Sequence, residues 1–352
     1  MSNTSIHQPR RVAATCVETS RALLVVLTTL PALTLLVGCA SARPAATPAS
    51  ATAGDVAVPT GAEATSLLGL PLSRPQPPAA FNQRQEALLA EAQAQLQARP
   101  DDLDAWIWVG RRTAYLGRYR EAIGHYSRAI ARFPAAPELY RHRGHRYLSV
   151  REIDHATADL RRAAELMASR PDSVEPDGLP NERNVPTSTL RSNVWYHLGL
   201  AHYLVGDLAG AVDAFTAARD AVANADNLVA ASYWLYLAHA AAGNAEAARS
   251  VLAPITAELD VIENREYHRL LLVFRGDDDA ALLLSQAEAG GGQQLATVGY
   301  GIAAWRLLRG EREAGALLLG QLVAATPWPA FGHLAAEALL ARDAELRRRA
   351  GF

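Results

Sequence analysis

His142 and His145 stand three residues apart, and Asp154 and His155 follow them. Imidazole and carboxylate are the ligands that zinc and its first-row neighbours take, so this cluster is where a metal-dependent enzyme would be sought. The i, i+3 spacing departs from the i, i+4 pair of a His-Glu-x-x-His zinc motif, and no third ligand is fixed by position. A second polar set, Asp260, Asn264 and His268, recurs every fourth residue with Glu263 and Tyr267 beside it. On a helix it reads either as a solvated face or as a second contact site or buried hydrogen-bonded network. Gly290-Gly291-Gly292 precedes Gln293-Gln294 where a phosphate loop would need Lys-Ser/Thr, so it reads as a linker. All 34 basic residues are arginine, which excludes a Schiff-base lysine and a P-loop lysine. A net charge of −2 gives no basic excess for nucleic acid. No nucleophile elbow or defensible carboxylate pair is present. The sequence therefore assigns no catalytic residue, metal or cofactor, and the expectation is a protein that binds rather than one that catalyses.

The side chains left to do chemistry are arginines and tyrosines, and their placement depends on the helices that carry them. Trp106, Gly110, Ala122, Tyr126, Ala129 and Pro134 form a spaced set. Gly144, Ala156 and Ala163 repeat its small residues 34 positions later, and Trp195, Gly199, Ala211, Phe215 and Ala218 repeat it with aromatics in register. Small residues let two antiparallel helices approach, aromatics fill the space beside them, and proline ends the second helix. A period of about 34 is that of a stacked helix–turn–helix unit. Residues 103–136 are the clearest unit; 137–170 is weaker, with Leu160 for the aromatic and Arg151 for the turn glycine; 192–225 matches well. Further units follow the turn glycines Gly243, Gly276 and Gly310. A helix over 81–98 precedes the array, halted at Pro100, and one over about 330–347 caps it, its Arg342, Arg347, Arg348 and Arg349 suited to a solvated C-terminus.

This pattern resembles the tetratricopeptide repeat (TPR) family over roughly residues 103–327. The resemblance implies an all-α, right-handed TPR-like solenoid of about six units with a C-terminal capping helix, within a repeat domain of residues 80–352. It also implies that the first helix of each unit lines a concave groove for a partner. Carried over place by place, the groove residues are Arg111 and Tyr115; Arg141 and His145; Asn193, Tyr196 and Tyr203; and Tyr233. Tyr and Arg dominate binding surfaces, and an arginine end beside a tyrosine strip suits an acidic or carboxylate-bearing segment. The other reading is that the tyrosines pack between repeats and the arginines are solvated. His202 and His239 take places where this repeat often has tyrosine, and read as core histidines with hydrogen-bond partners. Residues 171–191, rich in proline and acid, interrupt the array; they are either a surface excursion or a flap over the groove.

Arg10, Arg11 and Arg21 precede an apolar stretch, 22–38, that ends Leu36-Val37-Gly38-Cys39. A positive stretch followed by an apolar one is an export signal. Its end resembles the lipobox of bacterial lipoproteins, which implies cleavage after residue 38 and acylation of Cys39. Ala40 follows; the absence of aspartate there implies the outer membrane, facing the periplasm. Residues 39–65 read as lipidated cysteine and disordered tether, of which about 20 residues have an r.m.s. reach of about 25 Å. Residues 66–79, too proline-rich for a helix, read as an extended strap on the first helices. Together these readings predict a membrane-anchored scaffold of the cell envelope with a protein or peptide partner on its concave face. The alternatives are a lipoprotein that captures a small ligand or glycan under a 171–191 flap, and a metal-dependent enzyme.

Overall fold

The computed structural model describes residues 61–352, all within one compact unit, Asp55–Phe352. The export signal, Cys39 and most of the tether lie outside the described residues. Among the described residues no helix is long and apolar enough to cross a membrane.

A short antiparallel hairpin comes first, β1 (Ala62–Thr65) and β2 (Pro71–Ser73), with Ala62 opposite Ser73. Fifteen helices follow. After α1 (Ala79–Ala98) they run as seven neighbouring pairs: α2 (Leu103–Tyr115) with α3 (Tyr119–Arg132), α4 (Pro137–Ser149) with α5 (Ile153–Met167), and α6 (Leu190–Val205) with α7 (Leu208–Asp220). Then come α8 (Ala225–Ala241) with α9 (Ala245–Val251), α10 (Arg265–Arg275) with α11 (Ala280–Gly290), α12 (Gly292–Leu308) with α13 (Arg312–Ala325), and α14 (Phe331–Arg342) with α15 (Ala344–Arg349). The chain is an all-α solenoid, to which the hairpin is a small addition.

Several helix ends have a local cause. Asp102, Asp207, Asn224, Asp279 and Asp343 accept a backbone N–H from the first turn of α2, α7, α8, α11 and α15. Thr189 and Ser192 close a reciprocal capping box on α6. The turns inside the six pairs from α2/α3 to α12/α13 share one device, a residue with positive φ: Gly117, Arg151, Gly206, Gly243, Gly276 and Gly310. Five are glycine, which takes that conformation without a Cβ clash. Arg151 takes it at φ 68° with a full side chain.

Within pairs, glycine sets how near the helices come. A Cβ on Gly110 would lie 2.3 Å from the Tyr126 ring, and one on Gly199 would lie 2.6 Å from Phe215. The first helices of successive pairs also touch: α2 with α4, α4 with α6, α6 with α8, α8 with α10 and α10 with α12. The stack curls tightly enough for α12 to meet α8 and for α14 to meet both α12 and α6. Helix α14 therefore does more than close the end. It is buried along its length inside the curl, and Gly332 permits it to approach α12 where a Cβ would lie 2.0 Å from the Ala296 carbonyl oxygen.

The expected strap is likewise more than a strap. The hairpin is held at three points: Arg120 donates to the Glu63 carboxylate and carbonyl, the Trp328 indole N–H donates to the Ser73 carbonyl at 2.8 Å, and the Leu67 N–H donates to Glu337 at 3.1 Å. The hairpin thus binds α14 and the segment that leads into it.

Candidate binding site

The inner face of the curl belongs to the first helices, and three arginines project from it. Arg111 lies on α2, Arg141 and Arg146 on α4. Arg111 donates to the Pro176 carbonyl at 2.7 Å and to the Tyr115 hydroxyl at 3.2 Å. Arg141 is buried, donates to His142 at 2.9 Å and pairs with Glu175 at 2.8 Å, while its Nε has no partner. Arg146 lies over the Tyr119 ring at 5.2 Å. Among the described residues neither Arg111 nor Arg146 has a carboxylate in ion-pair contact. Burial foremost lowers the proton affinity of Arg141; Glu175 raises it, and the charges of Arg111 and Arg146 lower it again. Glu175 is in ion-pair contact with Arg141, and a second carboxylate, Glu138, lies on α4 three residues before Arg141 with its Oε2 buried and unbonded. The Glu175 carboxyl is pushed up by burial although Arg141 opposes the shift.

Residues 171–189 run across this face before α6 begins. Their ends are joined by a bridge between Val174 and Thr189, and the middle is gripped by the groove. Besides the Arg111 contact, Arg112 donates to the Gly178 carbonyl at 3.0 Å, and Asn193 Nδ2 donates to Glu175 at 2.9 Å. Gly178 fits where a Cβ would lie 2.1 Å from the Tyr115 hydroxyl.

Beside the insertion a cavity of about 320 Å³ remains. Arg141, His145, Asn193 and Tyr196 line it, with Thr187 and Ser188 of the insertion, Asn227, Asn264, Tyr267 and Phe331. The His145 and His197 rings lie 4.3 Å apart. Burial, and then the nearby arginine charge, holds both well below the ordinary histidine value, so both are neutral at pH 7. The Tyr196 hydroxyl accepts from the Trp234 indole at 2.9 Å and shares a hydrogen bond with Tyr267 at 3.2 Å. Asn227 Oδ1 is buried without a donor. The cavity is lined by polar and aromatic side chains and by one carboxylate, Glu263, which accepts from Asn181 and Thr187 of the insertion.

The structure thus gathers four of the eight residues expected in the groove around one cavity and sets Arg111 and Tyr115 under the insertion. Tyr203 and Tyr233 lie deeper. Tyr203 accepts from the Tyr300 hydroxyl at 2.9 Å, and Tyr233 stacks on Tyr267 at 4.5 Å. The other sequence candidates disperse. His142 is buried and stacked on Tyr126, whereas His155 is exposed beside Glu152. Asp260, Asn264 and His268 do not share a helix face, because α10 begins only at Arg265. The buried Asp226 carboxylate accepts the N–H groups of Ile262, Glu263 and Asn264 at 2.7–2.9 Å and holds that stretch as a turn. Asp260 pairs with Arg183 of the insertion at 2.7 Å, and the buried His268 bonds the Thr256 carbonyl. His202 has its core partner, Asp207 at 2.7 Å; His239 is half-buried with Nδ1 unbonded.

No protein family matches the chain. No curated protein matches it either. Among solved structures it is similar to a chain of Naa15/Naa10 bound to HypK-THB, at 17% identity and TM-score 0.32, covering 70% of this chain and 36% of that one. It is also similar to a chain of the APC/C hetero-tetramer Cut9–Hcn1, at 15% identity and TM-score 0.30, covering 74% of this chain and 48% of that one. The chain spans less than half the length of either. At this level of likeness they carry no argument about what it does, and the architecture rests on the helix pairing itself.

Proposed function

We propose that the protein is an interaction scaffold of the cell envelope, tethered through an acylated Cys39 to the outer membrane and facing the periplasm. Its protein partner presents an acidic side chain or chain-terminal carboxylate to the Arg111/Arg141/Arg146 face. The observation that carries this reading is the imbalance in pairing on that face: among the described residues Arg111 and Arg146 have no carboxylate in ion-pair contact, and the carboxylate paired with Arg141, Glu175, is supplied by the chain's own insertion. An anion brought there gains charge-assisted hydrogen bonds in a partly desolvated setting. Glu175 and the adjoining backbone then occupy the place of the partner until it arrives.

A second reading keeps the same cavity and replaces the partner by a small polar molecule. It is favoured by the size of the space, about 320 Å³, which suits a small ligand better than an extended peptide.

The test is crosslinking with a photoreactive residue at Ser188 in the native envelope. Recovery of one protein, lost in an Arg111→Glu, Arg141→Glu variant and weakened by salt, supports the scaffold. Recovery unchanged by that variant and by salt overturns the acidic-partner proposal. A thermal shift of the purified chain with a polar metabolite, and no crosslinked protein, decides for the small ligand. Release of the chain to the soluble fraction by Cys39→Ala checks the tether; retention on the membrane removes it.

A further inference from the structure

At the C-terminal end of α6, away from the arginine face, a second cavity of about 530 Å³ opens between α6, α8, α12, α14 and α15. Its walls are aliphatic, with Leu237, Leu307, Leu339 and Leu346 as the main surfaces. At its mouth Val205 and Leu308 are large apolar side chains left 51% and 41% exposed. Beside them stand two cations, Arg312 and Arg342. Asp343 is committed to Arg312 at 2.9 Å and to the first turn of α15. Arg342 donates to the Tyr203 carbonyl at 3.0 Å and has no carboxylate partner among the described residues. The site therefore combines an apolar slot with one uncompensated positive charge at its rim.

We infer that this cavity binds a long acyl chain ending in an anionic head, with the head at Arg342 and the chain against Leu237, Leu307 and Leu339. Neither half of the site explains the other. An apolar slot alone would take any hydrocarbon, and a rim arginine alone would be a solvated surface charge. Together they select an anionic amphiphile, since each methylene buried adds affinity and the guanidinium adds preference for a carboxylate or phosphate. The volume lies in the range of small-molecule pockets, about 300–1,000 Å³. The site is separate from the arginine face and stands or falls without it.

The experiment uses the full chain in mild detergent with a photoreactive diazirine analogue of palmitate. After irradiation, labelled peptides are mapped by mass spectrometry. Labelling should fall on residues 203–208, 237–241, 304–308 or 339–346, be displaced by palmitate at least tenfold better than by hexadecanol, and be displaced poorly by hexadecyltrimethylammonium. Arg342→Gln should abolish the preference for palmitate over hexadecanol. Ala241→Trp, at an exposed position on the rim, should cut labelling at least tenfold with the circular dichroism and melting temperature unchanged. Labelling absent, confined to other segments or indifferent to Ala241→Trp overturns the site; equal displacement by palmitate and hexadecanol overturns the role of Arg342. Phosphatidic acid and palmitate used as rival competitors distinguish a lipid head from a free fatty acid.

Discussion

Arg151 and Glu337 are 186 residues apart in the chain and 2.8 Å apart in space, both buried. Glu337 receives four donors: Arg151 through Nε and Nη2, the His333 ring at 2.9 Å and the Leu67 N–H at 3.1 Å. Arg151 also donates to the Ser149 and Trp328 carbonyls and lies over the Trp328 ring at 5.1 Å. One carboxylate thus joins the N-terminal hairpin, the α4–α5 turn and α14. Replacing Glu337 by alanine strands a buried guanidinium, which costs about 3–5 kcal/mol. Urea unfolding should show that loss for Glu337→Ala, and limited proteolysis should release the 61–73 segment first. A loss below about 1 kcal/mol would mean the pair is solvated in solution.

The same carboxylate sets an acid limit. Burial alone would raise its value, but the His333 hydrogen bond and the Arg151 charge outweigh that and hold it at about 2, against an ordinary 4.5. A group depressed on folding contributes stability that is fully present above the unfolded value and is lost as pH falls through the folded one. Stability measured by urea midpoint should therefore decline from about pH 4.5 down to about pH 2, and Glu337→Gln should flatten that decline. An unchanged slope in Glu337→Gln would assign the acid sensitivity to other carboxylates.

Glycines of two kinds should respond differently to alanine. At Gly199 the φ is ordinary and the obstacle is the Phe215 ring, so Gly199→Ala overpacks the α6–α7 contact at a cost of about 1–3 kcal/mol. At Gly243 nothing lies within 4 Å, but φ is +78°, so Gly243→Ala costs about 1–2 kcal/mol through backbone conformation. A double-mutant cycle separates them: Phe215→Leu should recover part of the Gly199→Ala loss, with coupling above about 0.5 kcal/mol, and none of the Gly243→Ala loss. Additive behaviour in both cycles would show that α6 and α7 stand further apart than the geometry here.

The helix pairs were legible because their determinants are local. Gly110, Gly144 and Gly199 recur with a partner sixteen residues on, at Tyr126, Leu160 and Phe215, and the turns recur at Gly117, Gly206, Gly243, Gly276 and Gly310. Arg151 breaks that turn pattern, and there its guanidinium reaches Glu337. The path of α14 was not legible. Its burial depends on contacts with α6 and α12 that no periodicity encodes, and the arginines that follow, Arg342 at its end and Arg347, Arg348 and Arg349 on α15, resemble those of any exposed helix end. The 258–264 turn was hidden for a similar reason: apolar and polar residues there fit a helical spacing, while the deciding group, Asp226, lies on α8. Of the cavity, the residues on α4 and α6 followed from unit register. Asn227, Tyr267 and Phe331 reach it through the curl of the stack, which the register of single units does not specify.

The insertion is held chiefly by side chains, which makes it the segment easiest to release. Arg111 and Arg112 donate to the Pro176 and Gly178 carbonyls, and Arg141 pairs with Glu175, whereas its own backbone bonds are few: Glu175 N–H to the Ser188 carbonyl, Asn184 N–H to the Asn181 carbonyl and Leu190 N–H to the Ser173 carbonyl. An Arg111→Ala, Arg112→Ala double variant should lower hydrogen-exchange protection over 173–190 about tenfold or more, since each 1.4 kcal/mol of local stability is a factor of ten, with α6 and α8 unaffected. Glu175→Gln removes the carboxylate that pairs with Arg141 among the described residues. It should loosen the same segment and, if an acidic partner takes the place of Glu175, raise that partner's affinity while making it more sensitive to salt. Both effects would follow from one act, the removal of a charge that holds the insertion and that the proposed anion would replace. Loosening with weaker binding would instead show that the insertion itself carries the partner contact.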